Sequence, residues 1–175
     1  MTDFEWPWQY SFPPFFTLQP NSDTRRKQVD AWCSLVLTYF RHHKIYTLDV
    51  VEAQSIPLFN NKKINRKLSQ DAIVSILEEL RLKGNIEWKD KSRRQCLVLW
   101  RTPEEWAQLI YNWAKSNGLT NSVCTLHELV EGDDTTSQPF HNLDKQVLLK
   151  ALAVLQTQGK AEVINFDDNE GVKFF

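Results

Sequence analysis

The chain has 175 residues, 42% hydrophobic and 25% charged, a balance typical of globular domains and unlike that of disordered chains. Its 21 Lys+Arg and 22 Asp+Glu leave a net charge of −1, so there is no whole-protein basic field for nucleic acid or anionic lipid. No run approaches the roughly 18 apolar residues of a membrane span, Asp3 and Glu5 stand where a signal peptide carries Lys or Arg, and the separated Cys33, Cys96 and Cys124 fit neither a disulfide framework nor a metal site but reduced cytosolic thiols.

Seven of the 21 aromatic residues fall within Phe4–Phe16. Phe4, Trp6, Trp8, Tyr10 and Phe12 alternate, which in an extended chain places them on one face. Pro7, Pro13, Pro14 and Pro20 oppose a helix. Residues 1–22 therefore read as an extended proline and aromatic arm. Such a strip has to be covered, either by the chain's own body or by a partner. The partner-binding candidates are Trp6, Pro7, Trp8, Pro13, Pro14, Phe15 and Phe16. Within them Pro13-Pro14-Phe15-Phe16 is the best plug, because prolines limit the ordering cost and adjacent aromatics fill pockets. The alternative, in which Phe4–Phe12 folds back onto its own domain, stays open.

The spacing predicts a helix over Asp23–His43 that buries Val29, Trp32, Cys33, Val36, Leu37 and Phe40. A short strand and short helix follow at Thr47–Ala53. Next comes an amphipathic helix within Leu68–Gly84, with Ser69 as N-cap and Gly84 as stop. Asn85–Trp88 and Gln95–Trp100 then form a hairpin. The same order returns after Pro103: a helix over Pro103–Asn117 with Trp106, Leu109, Ile110 and Trp113 inward, a strand and short helix at Thr125–Gly132, a helix within Leu143–Gly159 capped by Asp144, and a hairpin from Ala161–Phe166 and Gly171–Phe175. Leu68, Leu77, Leu80 and Gly84 align with Leu143, Leu152, Leu155 and Gly159 at a constant offset of 75. The expected fold is α+β, mainly helical. It comprises the arm (1–22) and two tandem winged-helix domains (23–102 and 103–175).

Charge separates the halves. Residues 1–102 carry 16 Lys+Arg against 11 Asp+Glu, and residues 103–175 carry 5 against 11. Lys62, Lys63, Arg66 and Lys67 precede the repeated helix of the first half, and Lys89, Lys91, Arg93 and Arg94 lie around its hairpin turn. Either cluster can meet phosphate, so the alternative function is a winged helix that binds nucleic acid through domain 1. A solvated basic face is the simpler account. No catalytic residue is expected. The adjacent His42 and His43 are expected to diverge at a helix end, and His127 and His141 lack ligand spacing. Glu128, Glu131, Asp133 and Asp134 read as a solvated loop. There is no phosphate-cradling glycine loop or nucleophile elbow. No cofactor or metal is expected.

The arm Trp6-Pro7-Trp8-Gln9-Tyr10, the run Pro13-Pro14-Phe15-Phe16-Thr17-Leu18-Gln19-Pro20-Asn21, the strings Ala31–Leu37, Pro57–Asn61 and Arg101–Trp106, and the ending Gly171–Phe175 resemble the family of small subunits of the ESCRT-II endosomal sorting complex. The resemblance spans the whole chain. It implies a non-enzymatic role in multivesicular-body sorting of ubiquitinated membrane proteins. It implies that two copies of this subunit join one copy of each of two larger winged-helix subunits, and that the Pro-Pro-aromatic motif at Pro13–Phe16 enters a pocket on each. Phe16 stands where some members end the motif with an aromatic hydroxyl. The second domain would recruit and activate the nucleating ESCRT-III subunit, for which the residue candidates are Ile110, Trp113, Val123 and Thr125. The expected location is cytoplasmic with peripheral recruitment to the endosome membrane, and a nuclear pool is left open.

Overall fold

A computed structural model of the chain describes residues 3–167 and 169–175. The chain divides into two compact units, Met1–Trp100 and Arg101–Phe175.

In the first unit, helix α1 (Ser22–His43) starts where the Asn21 side chain accepts a hydrogen bond from the Thr24 N–H (3.0 Å), and it ends at Lys44, whose φ is 52°. Strand β1 (Thr47–Asp49) leads into α2 (Val50–Ala53), capped by the Asp49 carboxylate. A hairpin of two-residue strands, β2 (Asn60–Asn61) and β3 (Arg66–Lys67), turns through Asn65 at φ 52°. Helix α3 (Gln70–Leu82) is capped by Ser69, and Gly84 leaves it at φ +83°. Strands β4 (Ile86–Trp88) and β5 (Gln95–Val98) complete an antiparallel sheet of order β1-β5-β4. Trp32, Phe40, Phe59, Ile73, Ile76 and Leu77 fill the centre.

The second unit repeats the order, with a 3-10 turn in place of the β2–β3 hairpin among the described residues. Helix α4 (Pro103–Ser116) is capped by Thr102, with Pro103 in its first turn. Strand β6 (Val123–Thr125), helix α5 (Leu126–Glu131) and a 3-10 turn at Asp133–Thr135 precede α6 (Lys145–Thr157), which Asp144 caps. Strands β7 (Ala161–Phe166) and β8 (Asn169–Phe174) form an antiparallel sheet of order β6-β8-β7. In both units the first strand thus pairs with the last of the three, and the penultimate strand lies on the far side. Trp106, Ile110, Phe140, Leu148, Leu152 and Phe174 form this core.

The arm departs from the extended reading. It folds into two 3-10 turns, Trp8–Ser11 and Pro13–Phe16, as part of the first unit. The fixed φ of Pro13 and Pro14 suits a tight turn, and the Phe15 N–H closes it on the Phe12 carbonyl at 2.9 Å. The turns break the alternation, so Tyr10 is 8% exposed whereas Trp8, two residues earlier, is 71% exposed. The arm also widens the buried stripe of α1. Gln28, Leu35 and Tyr39 join Trp32, Cys33, Val36 and Phe40, while Val29 and Leu37 are only partly covered.

Replacing Phe15 or Phe16 with Ala should lower the free energy of urea unfolding by about 3–5 kcal/mol, the usual cost of emptying a buried phenylalanine site. Trp8→Ala should stay within about 0.5 kcal/mol. Equal effects at all three positions would contradict the packing.

Candidate partner-binding surfaces

The arm is held through its main chain. The Trp32 Nε1–H donates to the Phe15 carbonyl at 2.8 Å. The Gln28 amide donates to the same carbonyl at 2.9 Å, to that of Thr17 at 2.8 Å and to that of Pro14 at 3.1 Å, while its Oε1 accepts from the Gln19 N–H at 3.0 Å. Gln28 is buried, and its amide gives partners to the Phe15 and Thr17 carbonyls, while the Pro14 carbonyl also accepts from the Thr17 N–H at 3.2 Å. Further back, the Asn61 Nδ2 donates to the Tyr10 carbonyl at 2.7 Å, and the Tyr10 hydroxyl donates to the Pro57 carbonyl. Burial, followed by the neighbouring Tyr39, pushes the Tyr10 hydroxyl up to about 12, so it remains a donor at neutral pH.

The rings divide between inside and outside. Phe15 stacks on Trp32 with centroids 4.3 Å apart and planes 5° from parallel, and Phe16 meets the same indole edge-on at 5.4 Å. Both are therefore anchors of the arm in its own domain, not rings exposed to a partner. Phe4 packs between Trp6, Tyr39 and His42. His42 and His43 do not diverge: their rings lie 4.9 Å apart, and both face Phe4. Trp6, Pro7, Trp8, Pro13 and Pro14 remain exposed. The sequence reading missed Phe12, which is 48% exposed and lies 5.8 Å from Trp8. Its position before Pro13 was the available signal, because a residue preceding proline is held extended and Phe12 has φ −98° and ψ 109°. An apolar groove of about 220 Å³ runs between Trp8, Phe12, Pro14, Gln19 and Lys27. A second groove of about 480 Å³ lies between Phe4, Trp6 and Pro7 of the arm and Ser34 and Thr38 of α1.

In the second unit the four candidates separate. Ile110 is wholly buried and belongs to the core, so it presents no surface; the helical period that marked it reports packing. Trp113 is half-buried, its ring 5.7 Å from Phe140. The Thr125 Oγ1 caps α5 by accepting from the Glu128 N–H at 3.0 Å. Val123 is 50% exposed on β6, an edge strand paired only to β8 among the described residues. A groove of about 410 Å³ opens beside Thr125, with Leu126, Val130, Leu143 and Leu148 in its lining. The Lys145–Glu170 pair (2.8 Å) lies on its rim. Glu128 and Glu131 stand on α5 and not on a loop, and Glu131 pairs with His127 at 2.6 Å.

The two basic clusters also separate. Arg93 pairs with Glu78 at 2.9 Å and Arg94 with Asp49 at 3.2 Å, so the hairpin turn is partly neutralised. By contrast, Lys62, Lys63, Arg66 and Lys67 are exposed and make no ion pair among the described residues. Burial pushes the thiols of Cys33, Cys96 and Cys124 up to about 11, 12 and 11, which keeps them protonated at neutral pH. Among the described residues no His, Cys, Asp and Glu cluster of three or more could hold a metal, and no helix is long and apolar enough to cross a membrane.

A family model described as ESCRT-II complex subunit matches residues 9–144. The chain belongs to that family. It is 64% identical over 172 residues to vacuolar protein-sorting-associated protein 25 of Danio rerio, covering 98% of this chain and 99% of that protein. The Homo sapiens protein of the same name is 59% identical, with 98% of each chain covered. Among solved structures, subunit VPS25 of the endosomal trafficking complex ESCRT-II superposes with a TM-score of 0.86 at 31% identity, over 97% of this chain and 98% of that one. A chain of the ESCRT-II complex VPS22/VPS25/VPS36 gives a TM-score of 0.82 at 32% identity, over 96% and 98%.

The Glu78 carboxylate links α3 to the hairpin, and it is held below the ordinary glutamate value chiefly by the Arg81 hydrogen bond, then by Trp88 and Arg93. A carboxyl whose folded pKa is depressed adds stability that is present above its unfolded pKa and is lost as pH falls through the folded value. Urea unfolding across a series of acidic pH values should show the native chain weakening as pH falls below the ordinary glutamate range, with Glu78→Gln flattening that decline. Parallel profiles for the two proteins would contradict the assignment.

Proposed function

We propose that this chain is a non-enzymatic adaptor within an ESCRT-II assembly. On this reading its first unit docks on the two larger subunits, those named VPS22 and VPS36 in the related complex, and two copies enter each assembly. Each unit is read as a winged helix, from the shared order of helix, strand, two helices and hairpin and from the matching sheets. The observation that carries the docking reading is the division of the arm. Phe15 and Phe16 are sealed against Trp32, and Trp8, Phe12, Pro13 and Pro14 are held outward on and between two turns whose main chain is fixed at Tyr10 and Phe15. A preorganised apolar face of aromatics and prolines loses little entropy when it enters a pocket. Trp6 and Pro7 extend that face.

The second unit presents a surface to the nucleating ESCRT-III subunit. Val123 on the open edge, Thr125 beside the groove and the exposed part of Trp113 are its proposed contacts. Work of this kind places the chain at the cytoplasmic face of the endosome, bound peripherally. Nucleic-acid recognition is not favoured. Helix α3 carries the exposed Asp71 and the partly exposed Glu79, which repel phosphate, and the hairpin arginines are engaged by Glu78 and Asp49.

Native mass spectrometry of the chain with purified larger subunits tests the first part. Trp8→Ala with Phe12→Ala should abolish the complex while leaving urea unfolding within about 1 kcal/mol of the native chain. An intact complex would overturn the docking face. For the second part, Val123→Glu should keep assembly and weaken binding of the ESCRT-III subunit by at least tenfold in calorimetry, since a buried unpaired charge costs more than about 1.4 kcal/mol. Unchanged affinity would move the contact elsewhere.

A further inference from the structure

We propose that the Lys62–Lys67 hairpin is a contact for an anionic membrane surface. This inference rests on the reading of the chain as an ESCRT-II subunit working at the endosome. No acidic residue occurs between Glu52 and Asp71, and four of the six residues from Lys62 to Lys67 are cationic. All four are exposed, and none makes an ion pair among the described residues. The other basic cluster of this unit is mixed: Glu78 and Asp49 engage Arg93 and Arg94, and Lys89 and Lys91, though without an ion pair among the described residues, flank the Asp90 carboxylate. Four like charges on one short ribbon repel each other. That repulsion is relieved by an anionic surface.

The ribbon is also built to keep its shape. Leu58, Phe59 and Leu68 flank it and are wholly buried. The Leu68 N–H donates to the Phe59 carbonyl at 2.8 Å. The Asn61 Oδ1 accepts from the Lys63 N–H at 3.1 Å, and its amide holds the Tyr10 carbonyl. Asn65 makes the turn at φ 52°. The cations therefore stand on a fixed main chain, and only their side chains order on contact. Beside Lys62 and Lys63 lies a groove of about 360 Å³ that also touches Ser11, Ser55 and Asn60. These three side chains make no hydrogen bond among the described residues, so hydroxyl and amide donors are free for a headgroup. Duplex nucleic acid fits poorly, because a winged helix reads it by inserting α3, which carries Asp71 and Glu79, whereas a planar anionic surface touches the ribbon alone. A short cationic ribbon on a fixed main chain suits a layer of anionic headgroups.

Each Lys or Arg near an anionic bilayer raises partitioning roughly fivefold, so the four together give about a thousandfold at low ionic strength. The full chain should co-float with phosphatidylcholine vesicles containing about one-third phosphatidylserine at millimolar lipid, and not with phosphatidylcholine alone. About 0.3 M salt should abolish the interaction. Lys62→Glu with Lys63→Glu should weaken it at least tenfold, whereas Lys89→Glu with Lys91→Glu, an equal change in charge on the other cluster, should leave it within about twofold. The hairpin variant should still assemble with the larger subunits, as judged by native mass spectrometry, and melt like the native chain. Trp8→Ala with Phe12→Ala should lose assembly but keep vesicle binding, so the two readings fail separately. No flotation of the native chain, or equal loss in both charge variants, overturns the proposal. Hairpin-dependent capture of duplex DNA in place of vesicles also overturns it, as does loss of assembly in the hairpin variant with vesicle binding unchanged.

Discussion

The first unit depends on how Gln28 and Trp32 take hold of the Phe15 carbonyl. A segment with seven aromatics in thirteen residues can neither stay in water as a strip nor enter a core without bringing its peptide groups along. Two side chains of α1 resolve that conflict. The Gln28 amide and the Trp32 indole N–H satisfy the carbonyls of the turn, and the face of Trp32 then receives the Phe15 ring. With those groups inside, the fixed turn leaves Trp8 and Phe12 outside. Burial and display are therefore two results of one contact. Truncating Phe15 would disturb the outer face as well as the core, which is why an alanine scan of the arm has to be read against stability.

The two halves show which positions the fold constrains. Leu68, Leu77 and Leu80 and their counterparts Leu143, Leu152 and Leu155 are all nearly or wholly buried. The caps Ser69 and Asp144 accept from the same part of the first turn, and Gly84 and Gly159 both leave their helices at positive φ, 83° and 72°. The outer surfaces obey no such rule. One half is basic and the other acidic, and in the second a groove lies beside α5 and α6. Cores preserve the shared architecture, while specificity resides on the faces that the cores leave free.

The repeated helices were legible because their information is local: a 3.6-residue period, a capping side chain and a glycine stop. The arm was not. Alternating aromatics with prolines suit an extended strand as well as a pair of 3-10 turns, and the choice is made by Gln28, Trp32 and Asn61, which lie 9 to 51 residues away from the groups they bind. Ile110 illustrates a second limit. Periodicity identifies the inward side of α4, but an inward position is core by default, and only neighbours such as Phe140 determine how much of Trp113 stays uncovered. The basic clusters show a third. Their compositions are nearly alike, and the difference between them is Glu78 and Asp49, brought to the hairpin turn by tertiary folding.

The Asn61–Tyr10 hydrogen bond has a further consequence for the proposed assembly. It joins the basic ribbon to the arm, so a partner that grips Trp8 and Phe12 also fixes the direction in which Lys62–Lys67 point. A single ribbon binds a bilayer weakly, because roughly a fivefold gain per cation is eroded by physiological salt. Two ribbons on one complex act together only if their orientations are fixed, since the second contact then forms at a high effective concentration. A flexible arm would lose that gain to conformational entropy. The rigidity given by Gln28, Trp32 and Asn61 thus matters beyond the monomer, because it allows several weak electrostatic contacts to add.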